Sequence, residues 1–170
     1  MVEVRKAGEE DVKGIVRVCS EGYRHTYHEL LPQKYIEQTI SEFYNEKRVL
    51  NETLHVSEGW NGWYVAVDDG DVVGAGGGGF TGEGITELFV LYLDPSRKRE
   101  GIGSKLLATI TEEQAKRGAR EQWVSVQKDN FMGIPFYEAV GFVYQGEQPT
   151  YSLPEEKGVV SLRYKREFVR

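Results

Sequence analysis

The stretch Arg97-Lys98-Arg99-Glu100-Gly101-Ile102-Gly103 holds residue types that can grip an anion. Gly101 and Gly103 lack Cβ, so the backbone there can come close to a ligand and reach positive φ. Apolar residues recur at Ile102, Leu106, Leu107 and Ile110, one stripe of a helix that starts at the glycines. The first N–H groups of such a helix have no partner inside it, and its dipole adds partial positive charge at the same end. Arg97, Lys98 and Arg99 add formal charge, and phosphate is the anion this combination suits. Two familiar nucleotide loops are excluded. No G-x-x-x-x-G-K-[ST] run occurs, and Leu106 stands where a G-x-G-x-x-G fingerprint needs its third glycine.

The elements around this loop must position it. Leu88–Leu93 is an unbroken apolar run, as in a strand buried on both faces. Asp94-Pro95-Ser96 ends it, because proline lacks an N–H and disfavours helix in the residue before it. The order is therefore strand, cationic glycine loop, helix. Gly118 is a natural stop for the helix, and Glu121–Gln127 is the next strand, so the three make a parallel crossover. A short helix with Pro135 near its start follows Asn130.

Lys98-Arg99-Glu100-Gly101-Ile102-Gly103 after a strand resembles motif A of the GNAT superfamily of N-acetyltransferases, Gln/Arg-x-x-Gly-x-Gly/Ala. Lys98 departs from Gln/Arg but keeps a donor, and Glu100 is expected to point to solvent. Asn130, Phe136-Tyr137 and Gly141-Phe142 resemble motif B, Asn-x-x-Ala-x-x-Phe-Tyr-x-x-x-Gly-Phe, with Gly133 in place of the common alanine. The likeness is strong over about Glu87–Phe142 and architectural over the N-terminal half.

The resemblance implies an α/β fold with a mixed α+β sheet: one GNAT-like acyl-CoA N-acyltransferase domain over residues 1–170, with six to seven strands flanked by helices. It implies transfer of an acetyl group from acetyl-CoA, as co-substrate and without a metal, to a primary amine that attacks directly in a ternary complex. The two central parallel strands, Leu88–Leu93 and Trp123–Gln127, would splay apart around the pantetheine arm. Coenzyme A would meet Leu91, Tyr92, Leu93, Lys98, Arg99, Glu100, Gly101, Ile102, Gly103, Ser104 and Asn130. Tyr137 matches the family tyrosine that protonates the departing thiolate, and backbone N–H groups around Leu91 would face the oxyanion. Glu87, acting through water, is the first candidate for the base, ahead of His25 and His28. Tyr23, His25, Tyr27 and His28 would border the acceptor, together with the Gly146–Gly158 loop. The acceptor is a small-molecule amine or a protein amino group. Two alternatives use the same fold without turnover: an acetyl-CoA sensor, or an interaction module built on the aromatic segment Tyr23–Tyr27.

Composition narrows the field further. The chain has 170 residues, enough for a sizeable core, and a net charge of −6, which argues against nucleic-acid binding. No apolar run approaches the ~20 residues of a membrane span, and the N-terminus has no signal-like apolar stretch. A cytoplasmic protein, monomer or homodimer, bound to neither nucleic acid nor membrane, is the expectation. The one cysteine, Cys19, lies in an apolar helical pattern and is expected to be a small core residue rather than a nucleophile.

The remaining elements follow from local pattern. Val2–Lys6 alternates as a strand. A first helix from about Val12 is expected to fray near Gly22, a second runs from about Gln33 to Asn45, and a short third lies between Asn45 and Gly59. Asp68-Asp69-Gly70-Asp71 predicts a hairpin turn. The run Gly76–Gly79 is expected to mark tight packing or a bulge rather than ligand approach. A strand from Phe142 to about Gln145, a polar loop to Gly158 and a strand from Val159 to Tyr164 complete the sheet.

Overall fold

The computed structural model describes residues 1–97, 100–149 and 160–168. In chain order the elements are β1 (Glu3–Lys6), α1 (Val12–Tyr27), α2 (Gln33–Phe43), α3 (Glu46–Leu54), β2 (Trp63–Asp68), β3 (Asp71–Gly82), β4 (Ile85–Leu93), α4 (Ile102–Lys116), β5 (Glu121–Gln127), α5 (Gly133–Ala139), β6 (Val143–Pro149) and β7 (Val160–Glu167). The strands form one seven-stranded sheet in the order β1-β2-β3-β4-β5-β7-β6. β4 and β5 run parallel and every other neighbouring pair is antiparallel, which is the expected mixed sheet.

Helices cover both faces. α4 and α5, with Phe142 just after α5, pack one side through Ile102, Leu106, Leu107, Ile110 and Tyr137, against Leu88, Val124 and Val126 of the sheet. α1 and α3 pack the other side through Ile15, Val18, Cys19 and Val49, against Trp63, Val65 and Ala75. Cys19 is fully buried there, as its pattern suggests.

The β2–β3 hairpin turns on Asp69 and Gly70, both with positive φ, as the Asp-Gly signal predicts. The glycine run lies within β3 and works by omission. A Cβ at Gly76 would meet Leu91 and Ile110, and one at Gly78 would meet Gln114 and the Glu87 carbonyl oxygen, so α4 and β4 lie close on that side. Gly77 and Gly79 make the same room on the other face for Trp60 and the Gly59 backbone. The tight-packing expectation and the bulge expectation both hold, since the register shifts between Gly77 and Gly78.

Two sequence expectations are corrected. The first helix does not fray at Gly22. A Cβ at Gly22 would come within 3.0 Å of Tyr92, so this glycine serves helix-on-strand packing, and α1 continues to Tyr27. The strand expected to end near Gln145 extends to Pro149, because β7 offers it a full antiparallel partner from Lys165 to Val160.

Because the space at Gly78 is filled by β4 backbone, Gly78→Ala is expected to lower unfolding free energy by about 1–3 kcal/mol in urea titration. Gly59→Ala, whose new Cβ would meet nothing closer than 3.8 Å, should stay within about 0.5 kcal/mol of the parent protein.

Candidate active site

The parallel pairing of β4 with β5 is short. It runs from Ile85↔Glu121 to Leu88↔Val124 and stops, although both strands continue. The cause lies on the flanks. β3 pairs with β4 as Gly78↔Leu88 and then Gly77↔Val90, so Phe89 is an extra, unpaired residue, a bulge that bends its strand. β5 meanwhile stays paired with β7 to Gln127↔Ser161. The strands therefore fork beyond Leu88 and Val124. A cavity of ≈ 100 Å³ lies in the fork, walled by Leu88–Tyr92 and Val124–Gln127. Thr26, Tyr27 and Tyr44 border it on the α1 and α2 side, and Asn130 and Tyr137 close the other.

Tyr137 is held on α5 by two edge-to-face rings, Phe136 at 5.1 Å and Phe142 at 5.5 Å between centroids. Desolvation, then the nearby Tyr27, push its pKa up, so the phenol stays protonated at neutral pH. Asn130 caps α5: its Oδ1 accepts from the Gly133 N–H at 2.9 Å and the Met132 N–H at 3.3 Å. The Gly133 departure from the family alanine matters here, because a Cβ would lie 2.7 Å from Asn130 Nδ2.

The start of α4 lies along the same side of the sheet. Gly101 is its N-cap residue, left-handed at φ 77°, and no side chain caps the helix. Open space surrounds the position where a Gly101 Cβ would stand. A Cβ at Gly103 would meet Leu93 and Phe136 at 3.5 Å, and the Phe136 ring packs in turn on Tyr137. Ile102 and Gly103 are buried, whereas Gly101 and Ser104 are exposed. Lys98 and Arg99 lie outside the described residues. Arg97 is engaged by carboxylates, with Nη2 donating to Asp68 Oδ2 at 2.7 Å and Nε to Glu100 Oε2 at 2.8 Å. Glu100 is exposed but does not simply face solvent, since its carboxylate pairs with Arg97.

The candidate acceptor residues divide. Tyr23 and Tyr27, one helical turn apart, lie on the inner face of α1, and Tyr27 borders the cavity. His25 and His28 are exposed and do not border it. Glu87 does not border it either. Its two carboxylate oxygens accept from Arg163 Nη1 at 2.8 Å and Nη2 at 2.9 Å, and Arg163 also donates to Ser125 Oγ at 2.7 Å. This pair spans from β7 over β5 to β4 at the last registered residues below the fork. Of the acceptor loop expected at Gly146–Gly158, residues 150–158 lie outside the described residues.

Three contributors escaped sequence reasoning: Arg163, Tyr44 and the Phe89 bulge. Arg163 left a partial signal, as Ser161, Arg163 and Lys165 alternate with Leu162 and Tyr164, but nothing local names its partner. Among the described residues, no group of acidic, histidine and cysteine side chains is placed to hold a metal, and no helix is long and apolar enough to cross a membrane.

The site thus sets a forked parallel pair beside an uncapped, glycine-led helix. Residues 23–142 match the model of the acetyltransferase (GNAT) family, and the chain belongs to that family of acyltransferases. It is 28% identical over 161 residues to the spermidine N(1)-acetyltransferase of Thermoplasma acidophilum, covering 92% of this chain and 97% of that one. It is 34% identical over 144 residues to the N-acetyltransferase YuaI of Bacillus subtilis, covering 82% and 79%. The crystal structure of the PaiA N-acetyltransferase from Thermoplasma acidophilum in complex with coenzyme A superposes with a TM-score of 0.85 at 25% identity, covering 99% of both chains.

A negative charge at the uncapped end of α4 would oppose a pyrophosphate there. Gly101→Asp places a carboxylate in open space, and aspartate tolerates left-handed φ better than most residues. Calorimetric titration is expected to show coenzyme A affinity weakened at least about tenfold, with the thermal transition still cooperative. Unchanged affinity would show that the helix end is not the anion site.

Proposed function

We propose that this protein transfers the acetyl group of acetyl-CoA to a primary amine, with the fork between β4 and β5 as the place of reaction. The observation that carries this reading is an order of neighbours along one side of the sheet. It starts at the glycine-led N-terminus of α4, passes Leu93 and Phe136, and ends at a cavity bordered by Asn130 and Tyr137. Its parts fit coenzyme A. The free helix end suits pyrophosphate, the fork admits a narrow arm, and the unpaired edge of β4 offers backbone groups no strand has satisfied. The polyamine acceptor of the Thermoplasma relative makes a polyamine the first acceptor to test, ahead of a protein amino group.

The chemistry follows from the groups at the fork. The amine lone pair forms the N–C bond at the thioester carbonyl. N–H groups on the open edge of β4 around Leu91 are proposed to stabilise the oxyanion as it forms. The C–S bond then breaks and Tyr137 gives its proton to sulfur. The desolvation that raises the phenol also raises a thiolate in the same cavity, so the transfer stays close to balanced. Asn130, already capping α5, has its amide nitrogen available to the pantetheine carbonyls. Glu87 would act as base only through water, and only while sharing its carboxylate with Arg163.

Tyr137→Phe removes one hydroxyl and keeps the ring between Phe136 and Phe142. Thiol release from acetyl-CoA with spermidine is expected to fall in kcat by about 10²–10⁴-fold, the usual worth of general acid catalysis. Coenzyme A affinity should be unchanged and stability altered by no more than about 1 kcal/mol. A near-normal kcat where chemistry limits the rate would leave Tyr137 a packing residue.

A further inference from the structure

The helix that carries Tyr137 is short, Gly133–Ala139, and a helix of that length does not hold itself in place. Asn130 fixes its start. Its end is fixed by a residue near the close of the chain. Arg166, on β7, donates from Nη1 to the carbonyl oxygen of Val140 at 2.8 Å. Val140 is the C-cap of α5, so this carbonyl belongs to the helix end that the helix itself leaves without donors. The guanidinium carbon also stands 4.6 Å from the centroid of the Phe142 ring. That ring in turn packs edge-to-face on Tyr137, at 5.5 Å between centroids. Arg166 therefore meets both the end of α5 and the ring against which its phenol rests.

The other nitrogens of Arg166 are anchored elsewhere. Nε donates to Gln122 Oε1 at 3.0 Å, and Nη2 donates to Thr111 Oγ1 at 2.9 Å. Gln122 is fully buried and lies opposite Arg166 in the β5–β7 ladder. Its own Nε2 donates to Gln114 Oε1 at 2.9 Å. Thr111 and Gln114 are on α4. One planar group thus ties α4, β5 and the end of α5 to β7. Its three acceptors are neutral groups, and burial pushes the Arg166 pKa down. A buried cation among neutral partners costs more to desolvate than an apolar side chain of like volume. Space-filling alone therefore gives no reason for arginine here. What a guanidinium adds is a set of donors fixed in one plane.

We propose that Arg166 is a positioning residue for Tyr137: it seats α5 through Val140 and Phe142, and so sets where the phenol stands at the fork. The proposal rests on the reading of Tyr137 as the acid and deepens it. Arg166 does not border the cavity, so its effect on the reaction passes through α5. Proton transfer needs the phenol within hydrogen-bond reach of sulfur, and a shift of about 1 Å can cost up to about 100-fold in rate. An unanchored α5 would keep its fold and lose that placement.

The test is a double-mutant cycle on kcat, read by thiol release from acetyl-CoA with spermidine. Arg166→Met keeps much of the stem and removes every donor. Its kcat is expected to fall about 10–100-fold, with coenzyme A affinity held within about twofold by calorimetric titration. Tyr137→Phe has no hydroxyl left to place, so adding Arg166→Met to it should change kcat by less than about twofold. Arg166→Lys keeps the charge and a donor for Val140, and should recover part of the loss. If Arg166→Met does not fold, the same cycle is run with Arg166→Lys, whose expected fall is about threefold to tenfold and again absent beside Tyr137→Phe. A fall of equal size in both backgrounds would make Arg166 a general structural residue and overturn the proposal, leaving Tyr137 as the acid. So would normal kcat in the folded Arg166 variants. Near-normal kcat for Tyr137→Phe alone would instead remove the acid reading, and the proposal with it.

Discussion

The site depends on a pairing that is broken off. β4 and β5 share hydrogen bonds only as far as Leu88 and Val124. Parallel strands normally continue side by side, since each unpaired N–H and C=O in an interior loses a hydrogen bond. Here one extra residue, Phe89, turns β4 toward β3, while the antiparallel ladder with β7 holds β5 on its own course. The backbone groups left over line a cavity, where a ligand can satisfy them. The cost of the fork and the capacity to bind are thus one feature.

Two devices hold the fork at a fixed place. Below it, the Arg163–Glu87 pair straddles β5 and ties β7 to β4. The side chains are 20% and 16% exposed, so this pair is shielded more than a surface bridge and its bidentate geometry sets a spacing. Beside it, the alternate glycines of β3 let α4 settle onto the sheet at Gly74, Gly76 and Gly78. That close seat brings the first turn of α4 level with Leu93 and Phe136. A bulkier β3 would lift the helix, and the helix end and the fork would no longer share one row of neighbours. Further out, Arg97 ties the loop before α4 to Asp68 of the β2–β3 hairpin.

The electrostatic character of the fork differs from that of the chain as a whole. The protein carries a net charge of −6, which favours the approach of cationic amines over long range. At the cavity itself the described polar side chains are hydroxyls and amides. Attraction at a distance and an uncharged set of described side chains at the fork are compatible, because the first acts through water and the second through direct contact.

Much of this was legible from residue order. The strand–glycine–helix order around Gly101, the Asp69-Gly70 hairpin and the Asn130-to-Phe142 pattern are local signals, each written in a few neighbouring residues, and they define the family and the mixed sheet. Tyr137 could be singled out because its place is set by the short helix that carries it. What the sequence could not reveal depends on partners far apart in the chain. Gly22 reads as a helix stop until Tyr92 is seen against it. Glu87 reads as a free carboxylate until Arg163 reaches it from β7. Tyr27, Tyr44 and Tyr92 are separate aromatics until the fold gathers them around one cavity. By itself, then, the sequence determined the kind of fold and a glycine-led helix start of the kind that suits an anion, because turns, caps and periodicity act within a few residues. Tertiary structure alone decided which side chains meet at the fork, because hydrogen bonds and desolvation depend on distance in space and not on distance along the chain.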